Sequence, residues 1–172
     1  MLSPAALALN EYNLPYPPPL EAPIHPIVVH FVIAMVVFSV VFDLIGMLTK
    51  RRSLLNLGWW NLVVATAAIL VAVLFGQLEA GLANVSEQAQ SVLNQHTIIG
   101  WALSVVLVVL ALWRGIQRNR DPLKLSVPYL GAGVLVVSLV FYQVLLGTQL
   151  SWIHGLHVKP AVQAQLKGGN VP

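Results

Sequence analysis

The sequence predicts an all-α integral membrane protein, a four-transmembrane-helix up-down bundle with both termini on the non-cytoplasmic side. Three observations predict it. Hydrophobic residues make up 58% of the 172-residue chain and charged residues only 9%, against about 25% charged in an ordinary soluble domain. Four stretches, 22–42, 53–78, 88–113 and 125–158, contain no Asp, Glu, Lys or Arg. Seven of the nine cations, Lys50, Arg51, Arg52, Arg114, Arg118, Arg120 and Lys124, fall in two of the links between those stretches.

A hydrocarbon core about 30 Å thick takes roughly 20 apolar residues in helical form, so each stretch holds one span. The expected helices are 26–48, 56–79, 95–117 and 127–151, which makes 25–158 the transmembrane domain. Residues 1–24 read as an extended Pro-rich outer tail around Leu14 to Pro19, with no basic segment ahead of an apolar one, and so not as a cleavable signal. Pro26 suits a first helical turn, where the missing N–H is harmless. Residues 159–172 read as a flexible outer tail.

Both basic links fall on one side of an even-numbered bundle, and the positive-inside rule makes that side cytoplasmic. Nine cations in so apolar a chain are then topology signals, and no nucleic-acid partner is implied. Trp59, Trp60, Trp113 and Tyr129 are expected at the inner interface and Trp152 at the outer one. Asp43 is expected near the inner interface as an anchor for Lys50, Arg51 or Arg52. Gln143, Gln149 and Ser151 are candidates for hydrogen bonds between helices, and Gly131, Gly133 and Ser138 for close packing.

With no cysteine, disulfides, iron–sulfur clusters, thiolate zinc sites and covalent c-type haem attachment are all excluded. The chemistry rests on five histidines. His25 and His30 lie at the start of the first helix, His96 at the start of the third, and His154 and His157 after the end of the fourth. All are therefore expected at the outer end of the bundle. His30 lies about 7.5 Å deeper than His25, and an ionisable side chain at that depth needs a partner or a ligand. The first and third helices are diagonal in an up-down bundle, at a separation that suits two imidazoles on one iron. His30 and His96 are thus the expected bis-histidine pair for a haem b. Ala34 and Gly100, four residues beyond them, are the small residues that leave room for the macrocycle. The alternative is that the two rings only hydrogen-bond across the bundle.

His154 and His157, spaced i, i+3, share a face if the helix continues. One reading pairs either with His25 on a second haem. Another is a three-histidine copper or zinc site, and the plainest is interfacial histidines in contact with water. Glu21 and Glu79, at the same level, are candidate acceptors for a second ring N–H. Leu74 to Leu78 resembles Leu146 to Leu150, which suggests a duplicated hairpin and a pseudo-twofold axis relating His30 to His96.

The opening His25-Pro-Ile-Val-Val-His30-Phe31 and the ending Leu150-Ser-Trp-Ile-His154-Gly155-Leu-His157-Val158 resemble the bacterial membrane family known as domain of unknown function 2231, over roughly residues 24–158. That resemblance implies His25, His30, His96 and His154 with Gly155 as a set, and leaves His157 outside the pattern. The tail from Asn10 to Pro17 looks like cyanobacterial members, which the resemblance associates with terminal oxidase genes. The expected function is a membrane cytochrome b-like electron-transfer subunit, with one or two haems b near the outer face. It would serve a terminal oxidase or other respiratory or photosynthetic electron-transfer complex and exchange electrons with a quinol or soluble carrier. The expected location is the bacterial inner membrane or the thylakoid membrane. No nucleophile with a base is visible, so the chain reads as a subunit rather than an independent enzyme. The alternatives are a copper- or zinc-binding assembly factor and a scaffold without cofactor.

Overall fold

The computed structural model describes residues 24–82, 85–154 and 156, and the described residues form helices and short links. Four α-helices follow one another: α1 (Ile24–Thr49), α2 (Arg52–Leu82), α3 (Glu87–Arg120) and α4 (Val127–Thr148), the last continuing as a π-helical turn over Gln149–Ile153. All four are long and apolar enough to cross a membrane.

Local chemistry sets the ends. Ser86 caps α3 by accepting the N–H of Ala89, with Glu87 in the first turn and Arg118 and Arg120 in the last, each favourable to the helix dipole. Ser126 caps α4 in the same way through Tyr129, and Pro128 occupies the first turn. Between α1 and α2, Lys50 takes a left-handed conformation at φ 55°. The Arg51 N–H then returns to the Gly46 carbonyl at 3.0 Å, the backbone closure of a Schellman turn. Hydropathy locates only the apolar part of a helix, so α2 begins four residues earlier and α3 eight residues earlier than expected. His96 is therefore more than two turns inside α3 rather than at its start.

Each helix packs on its neighbours in chain order and α4 closes the ring on α1, which leaves α1 and α3 diagonal. The buried positions run in steps of four and three. On α1 they are Val32, Val36, Ser39, Asp43 and Gly46, and on α3 Leu103, Leu107, Leu110 and Arg114. On α2 the stripe is Leu55, Gly58, Leu62, Ala65, Ile69 and Ala72, and on α4 Tyr129, Gly133, Val136 and Val140. A four-three step keeps one narrow face toward the centre of a bundle whose helices cross at a shallow angle. The two halves share a register. Adding the 71 residues that separate Asp43 from Arg114 carries the α1 stripe onto α3 and the α2 stripe onto α4. This offset is one residue short of the 72 that aligns Leu74–Leu78 with Leu146–Leu150, and it relates His25, not His30 as expected, to His96.

The seam between α1 and α2 is the tightest, because small residues line it. A Cβ at Gly46 would stand 2.8 Å from Leu55 Cδ2, and one at Gly58 would collide with the Asp43 carboxylate. Gly133 is a close-packing position as expected, with its missing Cβ 3.1 Å from Val40. Gly131 faces open space, and the exposed Ser138 hydroxyl donates to Val134 of its own helix, so neither has that role.

Candidate functional site: two polar ends of one bundle

At one end of the bundle the central stripe delivers two imidazoles. His25 lies seven residues before Val32 and so continues the buried face of α1; His96 lies seven before Leu103 and does the same on α3. Their ring centroids are 6.1 Å apart with planes at 79°. The His25 ring is held from α2: Nδ1 is 2.7 Å from the Ala72 carbonyl oxygen. A carbonyl only accepts, so Nδ1 carries the proton and Nε2 of the neutral ring holds the lone pair. Gly76 makes this approach possible, since a Cβ there would stand 2.8 Å from His25 Nδ1. The backbone N–H of His25 donates to Glu79 Oε1 at 2.8 Å, so Glu79 caps the start of α1 from α2. Glu79 meets the backbone of His25, not the ring expected of it.

His96 is seated from α4. A Cβ at Gly147 would approach its Cε1 to 3.3 Å. The Gln143 amide Nε2 donates to the His96 carbonyl at 2.6 Å, and Gly100 makes room for that amide, its missing Cβ being 3.3 Å from Nε2. At this end two buried atoms are left without partners, His96 Nδ1 and Gln143 Oε1. A buried polar group in that condition costs about 1–3 kcal/mol.

The pair the fold brings together is therefore His25 with His96, and the expected pairing of His30 with His96 does not form. Five residues past His25 is about 140° further round the helix. His30 is exposed there, and its Nδ1–H donates to the Pro26 carbonyl one turn back, at 2.6 Å. Ala34 is half-buried and lies on the side of α1 opposite His25 by helical phase. His154 is half-buried after the π turn, its N–H donating to the Gln149 carbonyl at 3.1 Å. His157, Glu21 and both tails lie outside the described residues. Among the described residues, no three His, Asp or Glu side chains gather where they could hold a metal ion.

The other end, expected at an interface, is a buried ionic cluster. Eighteen residues separate His25 from Asp43 and His96 from Arg114, about 27 Å along each axis. Asp43 does not reach Lys50, Arg51 or Arg52. Arg114 Nε and Nη2 donate to its Oδ2 and Oδ1, each at 3.2 Å, with both side chains 1% exposed. Tyr129 donates its hydroxyl to Asp43 Oδ2 at 3.1 Å, and Arg114 Nη2 also reaches the Leu55 carbonyl at 3.3 Å. Ser39, buried beside them, donates to the Gly58 carbonyl at 2.8 Å. Tyr129 is thus a core residue packed edge-on to Trp113, at 5.9 Å between centroids, and not a member of an interfacial belt. Trp60 and Trp152 are exposed. Arg118, which contributes to the basic link, donates to Asn56 at 3.2 Å and lies over the Trp59 ring at 5.7 Å.

Sequence reasoning missed Arg114, Tyr129, Gly76 and Gly147. The spacing of 18 residues between His25 and Asp43 and between His96 and Arg114 was the available signal, since five turns return a side chain to the same face. No curated protein matches the chain and no solved structure does. Residues 21–160, which take in the whole four-helix body, match the family described as "Predicted membrane protein (DUF2231)", and the chain belongs to that family of membrane proteins.

Proposed function

We propose that this membrane protein is a cytochrome b-like electron-transfer subunit whose haem b is held by His25 and His96. The observation that carries the reading is the imidazole pair itself. Two metal–nitrogen bonds of about 2 Å, each with the half-width of its ring, put the centroids of two axial imidazoles about 6 Å apart, and the rings stand 6.1 Å apart. Both come from diagonal helices, both sit against glycines, and the Ala72 carbonyl leaves His25 Nε2 free to bind.

Held by His25 and His96, a haem b would supply one-electron transfer. The protein orients the rings, fixes the His25 tautomer and shields the pair within the helices. A site at one end of the bundle suits transfer along one face of the membrane, between a quinol or soluble carrier and a terminal oxidase or other electron-transfer complex. With the basic links on the cytoplasmic side, that face is the outer one. His30 has no ligand role in this reading.

A second reading is favoured by the pair having no third ligand among the described residues. Two imidazoles alone suit a copper ion better than zinc, which takes four ligands. One measurement separates the two: a dithionite-reduced minus oxidised spectrum of the purified protein in detergent. Haem ligation predicts b-type bands that vanish in His25→Ala and in His96→Ala and persist in His30→Ala. A colourless protein with stoichiometric copper supports the second reading, and one with neither rejects both.

A further inference from the structure

The two histidines are not held alike, although the repeat makes them equivalent. Residue 72 serves His25 and residue 143 serves His96, each 47 residues further along the chain. At position 72 a backbone carbonyl takes the ring proton of His25 directly. At position 143 a glutamine binds the His96 backbone instead, leaving His96 Nδ1 and its own Oε1 both buried and unpartnered. The leftover atoms are complementary. One ring nitrogen must be a donor once the other gives up its lone pair, and Oε1 can only accept. We propose that Gln143 is the positioning residue for His96: when Nε2 binds iron, Nδ1 carries the proton and Gln143 presents Oε1 to it.

This inference rests on the haem reading above and makes a separate claim, that the two axial ligands differ in strength and that residue 143 sets the difference. An acceptor on Nδ1–H makes an imidazole a stronger electron donor and so favours the oxidised iron. Removing the acceptor raises the reduction potential, and replacing it with a carboxylate lowers it. Gly100 leaves space for a side chain of this length, and in Gln143→Glu the carboxylate loses the donor to the His96 carbonyl and turns its oxygens toward the ring N–H instead.

The test is a spectroelectrochemical titration of the full-length protein in detergent, comparing wild type with Gln143→Leu and Gln143→Glu, together with the low-spin ferric EPR spectrum of each. The expected result is haem retained in all three, a midpoint shifted upward in Gln143→Leu and downward in Gln143→Glu, and altered g-values in both variants. A purely structural role for Gln143 would change haem retention or melting temperature without opposite shifts. Equal potentials and unchanged EPR spectra in haem-loaded variants overturn the role of Gln143 and leave the haem reading standing. Wild-type protein that binds no haem overturns both. Should Gln143→Leu fail to fold, a Gln143→Glu midpoint at or above the wild-type value is enough to reject the inference.

Discussion

The histidine end and the aspartate end occupy the same four helical stripes, and they solve the burial of polar groups differently. At the aspartate end, Asp43 receives two hydrogen bonds from Arg114 and one from Tyr129, a dense arrangement drawn from three helices with Gly58 of the fourth against it. A buried charge pair of this kind does little for net stability compared with apolar residues, but losing one partner is costly. At the histidine end, two titratable rings are brought close with one ring nitrogen and one amide oxygen left over. Each end leaves a buried polar atom unpartnered, Arg114 Nη1 at the aspartate end and His96 Nδ1 with Gln143 Oε1 at the histidine end, so what sets the aspartate end apart is its direct ion pair. The contrast is between a clamp, an ion pair that ties helices together, and two imidazoles that meet edge to face.

The largest effect should come from cutting the clamp. Asp43→Ala leaves Arg114 buried without its counter-charge and is expected to cost about 3–5 kcal/mol, read as a lower melting temperature in detergent and a lower yield of folded protein. Combining Asp43→Leu with Arg114→Met should recover most of the loss. A single variant as stable as wild type would show that the cluster is no clamp.

Next in size is the glycine cradle. Gly76→Ala puts a Cβ 2.8 Å from His25 Nδ1, and a displacement in packed surroundings costs about 1–3 kcal/mol. The variant should fold and lose most of the reduced-minus-oxidised haem signal, whereas Gly147→Ala, whose Cβ would meet His96 Cε1 at a less severe 3.3 Å, should lose less. Equal signal per mole of protein in Gly76→Ala would break the link between the cradle and the ligand. Tyr129→Phe removes one hydrogen bond to a charged group, worth about 1.5 kcal/mol, and should lower stability without altering the spectrum, which keeps the two ends separable. Smallest of all, His30→Ala should leave melting and spectrum alike unchanged, since that ring is exposed and bonds only its own helix.

How much of this was legible differs between the levels of structure. The four spans were readable because 20 apolar residues in a row have few other uses, and the α1–α3 diagonal followed from their order. Depth points to His30 and helical phase to His25, and it is His25 that the fold sets beside His96. The seven-residue step from His25 to Val32, Ser39 and Gly46 would have put His25 on the small and apolar face that becomes the core. The Asp43–Arg114 pair was hidden for another reason. Arg114 follows the last residue of a charge-free stretch, and counting cations assigns it to a link although its helix runs on to Arg120. Nothing local to either residue announces a partner 71 positions away.

That separation carries a last consequence for assembly. Two identical hairpins meeting about a true dyad would set aspartate against aspartate, or arginine against arginine, in a place without water. With the two halves distinct in sequence, the matching positions carry opposite sign, Asp43 and Arg114. The attraction between them then rewards union of the unlike halves and penalises the exchange of like halves between neighbouring molecules.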